Sequence, residues 1–370
     1  MGGHARALEM LHYMMKSWNG AFAFITILDG VITALKVAYP RLSNEMHFLR
    51  KVILAVIARR TVSRTSRFDD LSLDQVLSCG FVRLEKSRLE CPPVLFLFIK
   101  THDSPWYDYA MYAPAERRER ALKPWQSWEQ FNCVFRQLKS EAFADDDSVL
   151  WTVVHNGARF GPGCERRVRE RKLEYVLAKS HLSTNSGGTK RQKCRCTDDA
   201  DVGKRFLYQP AAGSPSGDAG FCLEDLDNDR YVHEVHQYKV LQKGLTAQSF
   251  EEERRKAADE DDLFILFCAG RVGSTAQPVT LPANCAFVDA TCWKEYYGPF
   301  AARAYYVQLI PPPCLNTSSR TQLKFVDGVG DKFSERIMDN RPFDSYEDAH
   351  EKTRIPLKTL QQFQLTRPAD

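Results

Sequence analysis

Asp218, Gln237 and Lys239 are the side chains of this sequence whose types and spacing suggest chemistry. Residues 218–224 and 231–241 alternate in the manner of strands, and Asp227-Asn228 between them is a two-residue turn signal, since both residue types tolerate positive φ. A turn there sets the register, with Asp225 facing Arg230 as a cross-strand charge pair and Asp218 facing Gln237. Because side chains on a strand alternate faces, Lys239 lies on Gln237's side. The oxygens of Asp218 and Gln237, with the carbonyl of Tyr238, suit a hard divalent cation such as Mg2+. The Lys239 ammonium suits activation of a water and stabilisation of phosphorane charge. These are the parts that metal-assisted phosphodiester hydrolysis needs. His233, Glu234 and His236 do not read as a zinc site, because on a strand the two histidines face opposite sides.

The elements that must position these residues are legible around them. Upstream, 205–210 reads as a further strand, so three strands form a meander. Downstream come a helix at 246–258, strands at 263–268 and 285–288, and a helix near Trp293, an α/β order. Before the meander, 161–205 holds 12 Lys or Arg against 6 Asp or Glu, and it reads as a basic helix followed by a polar loop. Trp128, Phe131, Phe135 and Leu138 recur at helical spacing, in a stretch expected to connect two domains. Near the N-terminus, Met46, Leu49, Ile53 and Val56 form a helical stripe with Ser43 as candidate cap. A short helix at 73–77 ends at Cys79-Gly80, and strands are expected at 81–84 and 94–98, an order that suggests a winged helix.

The last stretch, 315–363, reads as helix, tight turn, helix. Asn316 is a candidate cap for a helix containing Leu323, the turn is Asp327-Gly328-Val329-Gly330, and Phe333 and Ile337 share one face of the next helix. Two glycines permit a sharp turn and leave amides uncovered by side chains. Exposed N–H groups at a helix start, with Lys332 beside them, make a seat for a phosphate. A second hairpin follows, with Ser345 as cap and Pro356 opening its last helix.

Composition bounds the function. The chain is 44% hydrophobic and 26% charged, an ordinary globular balance that excludes a fibrous or disordered polymer. A net charge of +4 is too small to demand a polyanionic partner, so any nucleic-acid contact must be local. Eleven cysteines lack zinc-type or disulfide-type spacing and read as free thiols of a reducing compartment. No secretion signal or membrane span is read, and an intracellular, nuclear location is expected.

The Asp218 and Gln237-Tyr238-Lys239 pattern resembles the PD-(D/E)xK, or restriction-endonuclease-like, superfamily, with Gln in place of the usual acid. The resemblance implies an α/β (α+β) nuclease fold and a helical Glu before the sheet, for which Glu165 is the candidate and Glu174 the runner-up. The segment around Gly328, Val329, Gly330 and Lys332 resembles the helix-hairpin-helix family of the DNA-uptake type, which implies sequence-independent contact with DNA phosphates. Trp125-x-x-Trp128, FRQLKS, HEVHQYKVLQ, LFILFCAG and WKEYYGPFAARAY, with the terminal hairpin, are similar to the C-terminal half of Crinkler and retrotransposon hot spot (RHS) proteins. Those families join an ATPase to a nuclease-like domain, so an ATPase or RHS-type partner is implied. This chain lacks the G-x-x-x-x-G-K-[ST] run, so ATP is not expected as its cofactor, and it reads as a truncated copy of the longer architecture. The expected organisation is a winged-helix-like region at 1–105, a helical connector at 106–150, a restriction-endonuclease-like domain at 151–312 and a helix-hairpin-helix at 313–370. The expected activity is that of a Mg2+-dependent endonuclease, and the alternative is an inactive DNA-binding or chromatin-associated protein.

Overall fold

The computed structural model describes residues 46–91, 124–177, 206–210, 217–241, 246–270, 280–301, 304–305, 312–324, 326 and 328–366, with scattered positions between 9 and 38. Strand 94–98, most of the polar loop after 177, the cap at Ser43 and Asp327 therefore lie outside the described residues.

Helix α1 (Met46–Ala58) is followed by a small ribbon of β1 (Arg67–Phe68) and β2 (Leu71–Ser72), then α2 (Leu73–Ser78) and a hairpin of β3 (Arg83–Glu85) and β4 (Arg88–Glu90). Ser72 closes a capping box with Gln75 at the start of α2, and Gly80 takes φ 77 just past its end. The hairpin closes earlier than the sequence suggests. Lys86 and Ser87 both adopt positive φ, so the charged run expected as a connection itself supplies the returning strand.

Next come α3 (Pro124–Phe143), β5 (Val149–Leu150), α4 (Trp151–Val154), β6 (Arg159–Phe160), β7 (Arg167–Arg169), β8 (Glu174–Leu177) and β9 (Phe206–Gln209). The meander continues with β10 (Ala219–Asp225) and β11 (Arg230–Leu241), then α5 (Ala247–Ala257), β12 (Leu263–Gly270), β13 (Cys285–Val288) and α6 (Trp293–Tyr297). These strands form one mixed sheet in the order β5-β7-β10-β11-β12-β13-β6, with β9 against β10 and β8 against β9. Strands β11, β12 and β13 run parallel, with α5 crossing from the first to the second. The fold is mixed α/β.

The described part of the basic stretch, 161–177, forms β7 and β8 and no helix. Its arginines are committed locally, Arg167 to Asp227 at 2.8 Å and Arg169 to Glu224 at 3.0 Å. Such pairing makes it a charge-balanced sheet margin.

One apolar cluster runs from Val31 and Leu35 through α1 and α3 to one face of the sheet. Helix α3, expected in a connector, is thus a core helix. Trp128, Phe131, Phe135 and Leu138 are all buried, and the Trp128 ring lies 5.7 Å from that of Trp293. A second cluster beneath α5 holds Val235, Phe250, Phe264, Leu266 and Phe287.

Below α3 lies a buried polar network. Glu234 accepts from Arg136 Nε at 2.7 Å and from Trp151 Nε1 at 2.8 Å, and it meets His155 at 3.2 Å and His236 at 2.7 Å. Arg136 also donates to Glu170 at 2.6 Å. Burial drives the His155 pKa down to about 3, so the imidazole is neutral at physiological pH.

The C-terminal module has its own core of Leu315, Leu323, Val326, Val329, Ile337, Phe343, Ile355 and Leu360. It comprises α7 (Arg320–Leu323), α8 (Asp331–Asp339), α9 (Tyr346–Thr353) and α10 (Leu357–Leu360). Its two ends are tied by Leu315 N to Gln364 O at 2.8 Å and Gln364 N to Pro313 O at 2.9 Å.

Candidate active site and phosphate-facing turn

The β10–β11 register places Ala219 opposite His236 and Asp225 opposite Arg230. The connection is a four-residue loop with Asp229 at φ 46, not a two-residue turn. The Asp225–Arg230 charge pair does not form. Asp225 accepts from Arg166 at 3.2 Å and from Asn228 Nδ2 at 2.8 Å, while Arg230 reaches Asp261 at 3.4 Å. The buried Asp225 carboxylate organises the loop and its own strand end.

At the other end of β10 the hairpin partner ends before β11 does. Asp218 N still donates to His236 O at 2.9 Å, and the Asp218 carboxylate then accepts from Tyr238 N at 2.7 Å. The side chain thus takes the place of a ladder carbonyl, and a backbone donor that would otherwise lack a strand partner holds an acid. Gln237 is 6% exposed, and its amide makes no hydrogen bond among the described residues. Lys239, two along on the same face, pairs with Glu253 of α5 at 3.0 Å. The structure therefore brings Asp218, Gln237 and Lys239 to one place at the parting of the strands.

Burial pushes the Asp218 carboxyl up to about 6, against the pull of the Tyr238 amide and the Lys239 charge. A folded value above the ordinary 3.8 means that the native state holds this proton more tightly than the unfolded chain does. Asp218 should therefore lower stability progressively as pH rises from about 4 to about 6. Urea titrations across that window should show the slope, and Asp218→Asn should remove it. An unchanged slope in the variant would refute the placement.

Glu165 is not part of the site. The chain from Gly161 to Arg166 has no helix, Glu165 is exposed there, and the adjacent Arg166 reaches across to Asn284 at 2.6 Å. The runner-up Glu174 is exposed on β8, opposite Phe206. The structure brings up Glu129 of α3 instead. Its carboxyl accepts from Gln209 Nε2 at 2.9 Å and is pushed up to about 8 by burial and by the nearby charge of Asp218. Glu253 is the second acid missed. Glu253 leaves a signature in sequence, an acid at helical spacing between Phe250 and Ala257, whereas Glu129 lies off the Trp128–Phe131–Phe135 stripe and leaves none.

The donor set fits a hard cation through oxygen chemistry, with the Asp218 carboxylate and the unengaged Gln237 amide as its nearest groups. Among the described residues no three His, Cys, Asp or Glu side chains are grouped to hold a metal. A cation here would therefore draw on the amide or on backbone oxygens as well.

In the C-terminal module, Ser319 caps α7, accepting from Gln322 N at 3.3 Å. Asn316, the expected cap, instead brackets the Phe343 peptide, donating to its O and accepting from its N at 2.8 Å each. Gly328 takes φ 77, and a Cβ at Gly328 or Gly330 would meet no atom within 4 Å. Gly330 begins α8 without a side-chain cap, and Lys332 is exposed on the first turn. Val329 plays a different part: its side chain is 1% exposed and its N–H donates to Val326 O at 3.1 Å. It anchors the turn. In the second hairpin Ser345 caps α9, Arg354 takes the left-handed conformation at φ 55, and Pro356 precedes α10.

No protein-family model matches the chain. No solved structure matches it. Among the described residues no helix is long and apolar enough to cross a membrane. The sequence is 28% identical to Crinkler effector protein 108 of Phytophthora sojae over 94% of this chain, and it spans 44% of that relative's length. The similarity to this Crinkler effector protein is distant, and it extends over nearly the whole of this chain but less than half of the relative.

Proposed function

We propose that the chain is a Mg2+-dependent endonuclease of restriction-endonuclease-like architecture, acting on DNA in the nucleus and tethered to the duplex backbone by its C-terminal hairpin. The observation that carries this reading is the meeting of Asp218, Gln237 and Lys239 where β10 leaves β11. Asp218 and Gln237, with the Tyr238 carbonyl, would hold the metal. Bound there, the cation supplies Lewis-acid polarisation of a phosphate and of a water. Lys239 would stand beside it to orient the water. An ATPase-bearing partner of the RHS or Crinkler type belongs to the same proposal. Plasmid nicking with and without Mg2+ tests it, and Lys239→Ala cutting as fast as the parent would reject the site.

A second reading, a DNA-binding protein that does not cut, is favoured by two observations. Gln237 is neutral where an acid would serve a cation better, and Lys239 is already engaged by Glu253. It predicts binding without nicking under every metal condition.

Both readings share the hairpin. Gly330→Val places a branched side chain in open space at the start of α8, where its φ of −92 suits any residue. The variant should fold normally yet weaken DNA binding to a similar extent across unrelated sequences, because phosphate contacts carry no base information. A Lys332→Ala variant should reduce the slope of log affinity against log salt by about 1. Fluorescence anisotropy with two unrelated duplexes over a salt series reads both effects, and unchanged affinity in both variants would remove the hairpin from the interface.

A further inference from the structure

We infer that Glu253, on helix α5, supplies the acidic oxygen that Gln237 lacks and binds a divalent cation together with Asp218. This rests on the reading of the site as metal-dependent and names a ligand for it.

The placement follows from the helix. Thr246 closes a capping box with Ser249, which fixes where α5 begins. Phe250 and Ala257 are 0% and 1% exposed and sit against the apolar face beneath α5. Glu253 lies between them at helical spacing, so it projects toward the sheet and not toward water. Its side chain is 17% exposed, and its carboxylate contacts both Lys239 and Lys256 at 3.0 Å.

Lys239 shares a face of β11 with Gln237, which lies beyond Ala219–His236 in the ladder and so opposite Asp218. Asp218, Gln237, Lys239 and Glu253 thus lie on one face of the sheet. Helix α3, with Glu129, covers the other face, where Arg136 and Cys133 meet Glu234 and Tyr238.

A hard cation held by Asp218 and a neutral amide has one anionic ligand, and affinity for such ions rises with the count of carboxylates. Glu253 is a second carboxylate, held in place by two ammonium groups. With a cation bound to Glu253, the Lys239 ammonium would be left available to a phosphate or water.

The test is Mn2+ binding to the full chain by titration calorimetry. Three proteins are compared: the parent, Glu253→Gln, and the double variant Gln237→Glu/Glu253→Gln. Glu253→Gln should weaken Mn2+ binding by roughly 10- to 100-fold, and moving the acid to position 237 should restore most of the affinity. Glu253→Asp, which keeps the charge but withdraws it by one methylene, should fall between parent and Glu253→Gln. Parent-like affinity in Glu253→Gln overturns the inference while leaving the proposed function standing. Weak binding that the double variant does not rescue also overturns it, and makes Glu253 a positioning residue for Lys239. A parent that binds no Mn2+ at millimolar concentration overturns both the inference and the metal-dependent reading.

Discussion

Asp218→Asn is expected to cut Mg2+-dependent nicking by at least about 100-fold while leaving the protein folded. The lower bound comes from metal sites in which changing even an outer partner of a ligand costs 10- to 100-fold in affinity or activity, and Asp218 would contact the cation itself. The fold should survive because, among the described residues, the one hydrogen bond that fixes the side chain comes from Tyr238 N, and an Asn carbonyl oxygen accepts it equally well. What disappears is the negative charge. The pH profile supplies a second check. A cation must compete with the proton for this buried carboxylate, so activity should fall toward acid pH and recover in part as Mg2+ is raised. DNA affinity should be nearly unchanged, since the glycine turn proposed to meet phosphates lies in a module with its own core. Parent-like nicking by Asp218→Asn, measured in single-turnover time courses, would eliminate the site. Loss of DNA binding along with nicking would point to a folding defect instead.

The largest effect on stability should come from Arg136. Its guanidinium is 1% exposed, faces Glu170 and Glu234, and lies 4.7 Å over the Phe221 ring. Arg136→Met keeps much of the volume but leaves two buried carboxylates without their cation. Removing one partner from such a buried pair costs about 3–5 kcal/mol, well above the near-zero worth of an exposed pair such as Arg230–Asp261. Glu234 retains Trp151 and His236 as partners, so it stays the ionised member. Burial already pushes Glu170 upward, and without Arg136 it should take up a proton. Urea unfolding at neutral pH reads the loss, and the double variant Arg136→Met/Glu170→Gln should recover part of it. A loss below about 1 kcal/mol in the single variant would mean that the network is hydrated and not sealed.

Local periodicity and turn chemistry were sufficient for much of this chain. The strands at 206–209, 219–225 and 230–241 and the helix at 247–257 were readable because side-chain alternation and capping residues act over a few positions. The register of β10 on β11 was correct even though the turn was misread. A two-residue and a four-residue loop centred between Asp227 and Asn228 pair the same residues. The C-terminal hairpins were legible for the same reason, since glycine conformations and Ser caps are set within one turn of helix. Asn316 is the exception: its competing bonds to Phe343 come from 27 residues away.

The sequence by itself thus determined which residues lie on which face of the β10–β11 ribbon, and it determined the bare turn at Gly328–Gly330. Tertiary structure alone decided which acids reach that ribbon. Glu165 carried the expected chemistry but sits in an exposed loop, whereas Glu129 and Glu253 arrive on helices packed against opposite faces of the sheet. The physical reason is that alternation along a strand depends on the nearest peptide units, while the arrival of a helix over a strand depends on burial summed across the whole sheet.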